Sequence, residues 1–337
     1  MIMMENLSLD DQSTIHPIAK TILQGIKDDG SPFSKLNGIP HVLQMIWRHV
    51  LWDMKLKKWK KHIKVGQEWF FKGRDTPLVS GAIYNGLIEI EDIEFPEPKD
   101  ININMMPFLM SEDFDSTCLP DYLEDYHDKI LSNIDYRGQE GEIGYLTIHE
   151  SLVDEGQSQR RPGLHTESPG IIYVKNEGKA EKGDKCFDEK GGGSAVVYPM
   201  LVEWGRGGYD SELELDGGIY MASNVSNSCE VWDCQIVSGE NGEEIIGKHG
   251  DIEHLRSLLP ESTKLKANML YWVTDRTPHE SLPLKKGTYR QFIRVVTKDV
   301  SVWYKDHSTE NPMGIPPGDA KIVRGSKFDG DVLTIVD

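Results

Sequence analysis

Arg160-Arg161-Pro162-Gly163-Leu164-His165-Thr166-Glu167 decides the reading of this chain, together with Thr277-Pro278-His279-Glu280 and the later pair Arg290 and Arg294. On an extended strand, residues two apart project to the same face, so His165 and Glu167 can reach one metal ion. His279, from a distant strand, supplies a third donor. Two histidines and one carboxylate gathered on one face of an ion leave its opposite positions open. A Lys285-Lys286-Gly287 turn separates His279 from a strand on which Arg290 and Arg294, four apart, share a face. Each guanidinium is a planar fork of donors able to bind a carboxylate bidentately.

The pattern around these residues is rich in strands. From residue 141, short apolar runs alternate with turn residues, predicting strands at Gly144–His149, Arg160–Glu167, Ile171–Val174, Ser194–Glu203, Gly218–Val225, Cys229–Val237, Asn268–Thr274 and Tyr289–Thr297. That spacing is typical of antiparallel all-β folds. Upstream, helical periodicity follows Pro40 through Val42, Leu43, Ile46, Trp47, Val50 and Leu51 into the basic run Lys55–Lys64, read as a solvated helix face. A second amphipathic helix is expected over Asp121–Ile134, buttressing a sheet, and a short one over Asp251–Leu259. Asn176–Gly193, rich in Gly and Lys, reads as a surface loop or a lid. The class is α+β, a sheet-rich core with N-terminal buttressing helices. Its expected divisions are a helical and mixed region over 1–140, the core over 141–300 and an extended segment over 301–337.

His-x-Glu, a distal His and an Arg on the last core strand resemble the signature of the Fe(II)/2-oxoglutarate-dependent oxygenases, over about residues 140–300. The resemblance implies a jelly-roll core, the cupin-like double-stranded β-helix. It implies His165, Glu167 and His279 as the metal-binding and catalytic set, with Arg290 anchoring the far carboxylate of 2-oxoglutarate. The implied reaction consumes O₂ and releases succinate and CO₂ while hydroxylating, desaturating or cyclising a small organic substrate, an anionic one among the options. In the taurine-dioxygenase-like branch a second arginine four positions on faces the substrate, which is the role implied for Arg294. The departures are Glu where Asp is commoner and two arginines where one suffices, so which arginine anchors 2-oxoglutarate stays open. The presence of Glu167 disfavours halogenation, since related halogenases need a small residue there.

Other residues enter by position. Parity with His165 and Glu167 directs Arg161 to the metal-bearing face, to hold an anion or to form an exterior salt bridge, provided Pro162-Gly163 introduces no bulge. Tyr145 and Thr147 share a face of the preceding strand and are candidates to line the pocket. Asp275 is a candidate to orient the His279 imidazole, or else a turn former. His149 and the tail residues Trp303, Tyr304 and His307 are read as structural cover.

Composition bounds the alternatives. A chain of 337 residues with 38% hydrophobic and 27% charged residues fits a soluble globular protein. It has no apolar run near the roughly 20 residues a bilayer demands. Without a secretory signal the expected location is the cytoplasm. A net charge of −18 argues against nucleic acid as the partner. Cys118, Cys186, Cys229 and Cys234 form no metal-binding spacing and are expected as free thiols. Rival readings are a non-catalytic jelly-roll binding module, a cupin-type isomerase and a zinc hydrolase whose base would be Glu280. The sequence holds no His-x-His pair, the usual cupin mark. Substrate identity, pathway and oligomeric state are not readable from it.

Overall fold

Thr288–Val296 is buried along nearly its whole length on both faces, which makes it a central strand. In a computed structural model, residues 78–79, 86–136, 138–176, 197–209, 215–237, 246–325, 328 and 332–336 are described. The helix expected after Pro40, the basic run Lys55–Lys64, nearly all of the Asn176–Gly193 loop and Cys186 lie outside them. In chain order the strands of three or more residues are β1 (Leu87–Asp92), β2 (Asn102–Leu109), β3 (Ile143–Val153), β4 (Ile171–Asn176), β5 (Val197–Leu201), β6 (Ile219–Ser223), β7 (Cys229–Trp232), β8 (Ser262–Lys264), β9 (Met269–Val273), β10 (His279–Ser281), β11 (Thr288–Val296), β12 (Val302–Tyr304), β13 (Lys321–Arg324) and β14 (Val332–Ile335). The described protein is mostly β-sheet with few and short helices.

Six strands form one sheet in the order β1-β9-β6-β11-β3-β2, every pair antiparallel. Side chains alternate across it. Ile293 and Val295 of β11 join Leu146, Ile148, Tyr220 and Trp272 on one face. Phe292 and Val296 join Tyr145, Met221 and Tyr271 on the other. The first face is covered by the segment from Asp121, which buries Leu123, Tyr126, Ile130, Leu131 and Ile134. Each such side chain contributes about 1.5–3 kcal/mol on burial.

The buttress is where it was expected, but it is not one helix. A 3-10 turn at Asp121–Leu123, the helix α1 (Glu124–Lys129) and a second 3-10 turn at Leu131–Asn133 follow one another. The tighter 3-10 winding turns Tyr122 away from Tyr126, so Tyr122 is 45% exposed rather than packed.

The second face looks toward two smaller sheets. One has the order β12-β13-β14-β4-β5, with β12/β13 and β14/β4 parallel; the other is β8-β7-β10. The tail beyond residue 300 is thus three strands of a sheet rather than an extended cover. Backbone pairing also crosses the boundary drawn at 140, because β2 pairs with β3. Asn102–Leu109 escaped the sequence reading because Pro107 argues against a strand. β2 lies at a sheet edge, where proline is tolerated. Cys118, Cys229 and Cys234 are free thiols.

A buried polar knot ties the buttress to the sheet. Glu150, 4% exposed, accepts from the backbone N–H of Lys99 at 2.7 Å and of Ile101 at 2.8 Å, from Tyr126 Oη at 2.6 Å and from Gln291 Nε2 at 2.9 Å. Burial and this carboxylate push the Tyr126 hydroxyl well above its ordinary range, so it stays a donor. Glu150→Ala strands these donors and is expected to lower stability by on the order of 3 kcal/mol. Urea unfolding measures this directly, and a loss under about 1 kcal/mol would contradict it.

Candidate metal and anion site

The stretch from Arg160 to Glu167 is not a strand. Gly163 sits at φ +81°, so the chain turns at Pro162-Gly163 before His165 makes isolated bridges to Asp251 and His279. His165 and His279 exchange backbone hydrogen bonds, 3.0 Å and 2.9 Å long, and Thr166 N–H donates to Gly250 O. This pinning sets the two imidazoles side by side, with ring centroids 4.5 Å apart. His279 opens β10, opposite Val231 of β7.

Backbone carbonyls orient both rings. His165 Nδ1 lies 2.7 Å from Gly163 O and His279 Nδ1 2.9 Å from Thr277 O. A carbonyl only accepts, so each Nδ1 carries the proton and each Nε2 offers its lone pair, the tautomer a metal needs. Asp275 does not take this orienting role. Its Oδ2 accepts from Trp204 N–H at 3.1 Å and lies 3.9 Å from Arg206 Nε.

Glu167 Oε1 stands 3.6 Å from His279 Nε2 and accepts a hydrogen bond from Arg294 Nη1. Two donors on one ion at right angles, with bonds near 2.1 Å, would be about 3 Å apart. The pair is thus slightly open. Among the described residues no group of three or more His, Cys, Asp or Glu side chains is already arranged to hold a metal. The donor types, two imidazole nitrogens and a carboxylate, still fit a divalent iron or zinc ion once Glu167 moves toward His279.

Arg290, Phe292 and Arg294 project from β11 to the same side, opposite Ser151, His149 and Thr147 of β3. Arg290 is 1% exposed. Its Nε donates to Ser223 Oγ at 3.1 Å and its Nη1 to Ser281 Oγ at 3.3 Å, and among the described residues it has no carboxylate partner. Burial lowers its pKa to about 10. Arg294 donates to Glu167 and, at 3.4 Å, to Thr147 Oγ1, and it lines the cavity described below.

A cavity of about 310 Å³ joins His165, Glu167, His279, Arg290, Arg294 and Arg161. Arg160 lines it as well, which strand parity did not anticipate, because the Pro162-Gly163 turn breaks the alternation. Arg161 also donates to His249 O and lies against Phe328. Tyr145 is not in the lining; its hydroxyl donates to Pro317 O at 2.6 Å. Thr147 is not in the lining either; its Oγ1 accepts from Arg294 Nη2 at 3.4 Å. Conversely, His149, Tyr304 and His307, read as cover, are part of the wall. For His149 the signal was the register, in which it pairs with Phe292. Glu280 is bound to Arg256 at 2.7 and 2.9 Å, which removes it as a hydrolytic base for this cavity.

Asp275 has a consequence for pH dependence. Fully buried, its carboxyl is raised from 3.8 to about 6, with burial outweighing Arg206 and the Trp204 N–H. The native state holds this proton more tightly than the unfolded chain. Its contribution is therefore complete below about pH 4 and is lost as pH rises through about 6. Asp275→Asn keeps an acceptor for Trp204 N–H and removes the titration. From pH 4 to 7 the variant is expected to gain on the parent by about 2 kcal/mol. Chemical unfolding at several pH values tests this, and parallel curves would refute it.

No protein-family model matches the sequence, and no curated protein matches it.

Proposed function

We propose that this protein is an Fe(II)- and 2-oxoglutarate-dependent oxygenase of a small organic substrate, built on a jelly-roll core. The observation that carries this reading is the meeting of two kinds of group in one cavity: a pair of imidazoles oriented through Nδ1, and a buried guanidinium whose hydrogen-bond partners, among the described residues, are hydroxyls alone. A buried cation without a counter-charge is costly, so the site favours taking in an anion beside the imidazoles. The apposed sheets, with the site between them, support the jelly-roll assignment.

His165 and His279 would hold the ion through Nε2 and Glu167 through a carboxylate oxygen. Bound Fe(II) supplies the redox chemistry that couples decarboxylation of 2-oxoglutarate by O₂, giving succinate and CO₂, to oxidation of the substrate. Arg290 holds the far carboxylate of 2-oxoglutarate, with Ser223 and Ser281 fixing the guanidinium from behind. Phe292, Met221, Trp204 and Tyr304 give the cavity apolar walls that exclude water.

A second reading, a non-catalytic binding module, is favoured by one observation: Glu167 is paired with Arg294 and stands 3.6 Å from His279 Nε2, wider than a shared ion would set the two. Anaerobic titration with Fe(II) and then 2-oxoglutarate separates the two. The oxygenase shows a weak visible charge-transfer band that requires both additions. Folded protein that retains no iron and shows no band would leave the binding module.

A further inference from the structure

Four guanidinium groups, Arg160, Arg161, Arg290 and Arg294, line the cavity against the single carboxylate of Glu167, an excess of three positive charges in a protein of net charge −18. His149, in the same wall, does not offset them; burial and then Arg160 and Arg290 lower its pKa and keep it neutral. The four arginines are unequal. Arg294 is neutralised by Glu167. Arg161 bonds His249 O and feels the charge of Asp251. Arg290 is assigned to 2-oxoglutarate above. Arg160 remains. Among the described residues it has no hydrogen bond or ion pair, and its guanidinium lies against the Phe292 ring, 5.3 Å from the centroid, with Arg290 5.5 Å from the same ring. Burial, together with the like charges of Arg294 and Arg290, lowers its pKa to about 10 against the pull of Glu167.

The geometry points to Arg160 as the anchor for an oxyanion, a carboxylate or a phosphate, carried by the primary substrate. The assignment rests on the oxygenase reading, under which the two charges of Fe(II) and the two of 2-oxoglutarate cancel. The excess of three therefore persists in the loaded site and calls for a further anion. Arg160 fits that demand because its guanidinium, set over the Phe292 ring and free of any protein acceptor among the described residues, is a planar fork of donors for two oxygens. Arg161, on the adjacent position, supplies a second positive charge at the same wall. A neutral substrate would leave this part of the cavity repelling itself.

Calorimetric titration of the full-length protein supplied with Mn(II), a redox-silent stand-in, tests the assignment. The protein is first saturated with 2-oxoglutarate and then titrated with inorganic phosphate in one arm and butanoate in the other. One of the two anions is expected to bind the saturated protein, the arm that responds naming the substrate's anionic group. Arg160→Gln is expected to weaken that second binding at least tenfold while changing 2-oxoglutarate affinity less than twofold. Arg160→Lys, which keeps the charge, should restore part of it. Without ligand, Arg160→Gln should melt at or above the parent temperature, since it removes a repelling charge. Unaltered second binding in Arg160→Gln, or no second binding in either arm, would overturn the assignment. So would an equal loss of 2-oxoglutarate affinity, which would make Arg160 part of the cosubstrate site. If 2-oxoglutarate never binds but anion binding still depends on Arg160, the subsite stands and the oxygenase reading falls.

Discussion

His279→Ala is expected to lose Fe(II) binding and, with it, the visible band formed on adding 2-oxoglutarate. The imidazole is held by its Nδ1 contact to Thr277 O and by the backbone pair with His165, and alanine leaves that pair intact. Removal of the ring therefore subtracts a metal donor from a backbone that keeps its shape. Loss of a residue that merely supports a ligand typically costs 10- to 100-fold in metal affinity, so loss of a ligand should exceed about 100-fold. Circular dichroism should be unchanged, because the ring faces the cavity rather than the packed core. His165→Ala should behave alike. A His279→Ala protein that binds Fe(II) within a few-fold of the parent would exclude the imidazole as a ligand and return the site to the binding-module reading.

The parts of this site legible in the sequence were those governed by short-range rules. β11 was placed to within one residue at each end, since Thr288–Val296 is a β-branched and aromatic run after a Lys-Lys-Gly turn. The alternation that puts Arg290 and Arg294 on one side followed from it. What strand logic could not supply was the course of the chain through Pro162-Gly163, where a positive φ replaces extended backbone. There the expected partition of Arg160 and Arg161 to opposite faces fails, and both line the cavity. The tail escaped for a different reason. Its strands are short, and only the last of them, β14, joins the rest of the sheet, through β4 more than a hundred residues away, so no local pattern announces the pairing.

Glu167 shows why a motif and a site are different things. The triplet places the carboxylate beside His279, but the long-range register of β11 also brings Arg294 onto it. In a buried setting the nearest opposite charge dominates, and the guanidinium competes with any ion for the same oxygen. On the proposed reading Arg294 would oppose metal capture by the empty site and would steady the carboxylate in a metal-bound one. Its replacement would act on the metal first and on substrate only through the metal.

Arg290→Met separates function from structure because its two expected effects have opposite signs. Methionine matches much of the side chain's length and apolar volume while removing a charge that is 1% exposed and whose hydrogen-bond partners, among the described residues, are Ser223 and Ser281. Replacing a buried charge with an apolar side chain of similar volume is often neutral or stabilising by 1–4 kcal/mol, so unfolding in the absence of ligands should be no easier than in the parent. Binding should move the other way. Truncating one member of a buried hydrogen-bonded charge pair costs about 2–5 kcal/mol, so 2-oxoglutarate affinity should fall roughly 30-fold or more. Fe(II) affinity alone should be nearly unchanged, because Arg290 is not a donor to the metal. Calorimetry with each ligand and urea unfolding without either give the three numbers. A destabilised variant that still binds 2-oxoglutarate normally would make Arg290 a packing residue and leave the cavity without its cosubstrate anchor. A stable variant that has lost only 2-oxoglutarate would tie the most deeply buried cation of this site to the chemistry proposed for it.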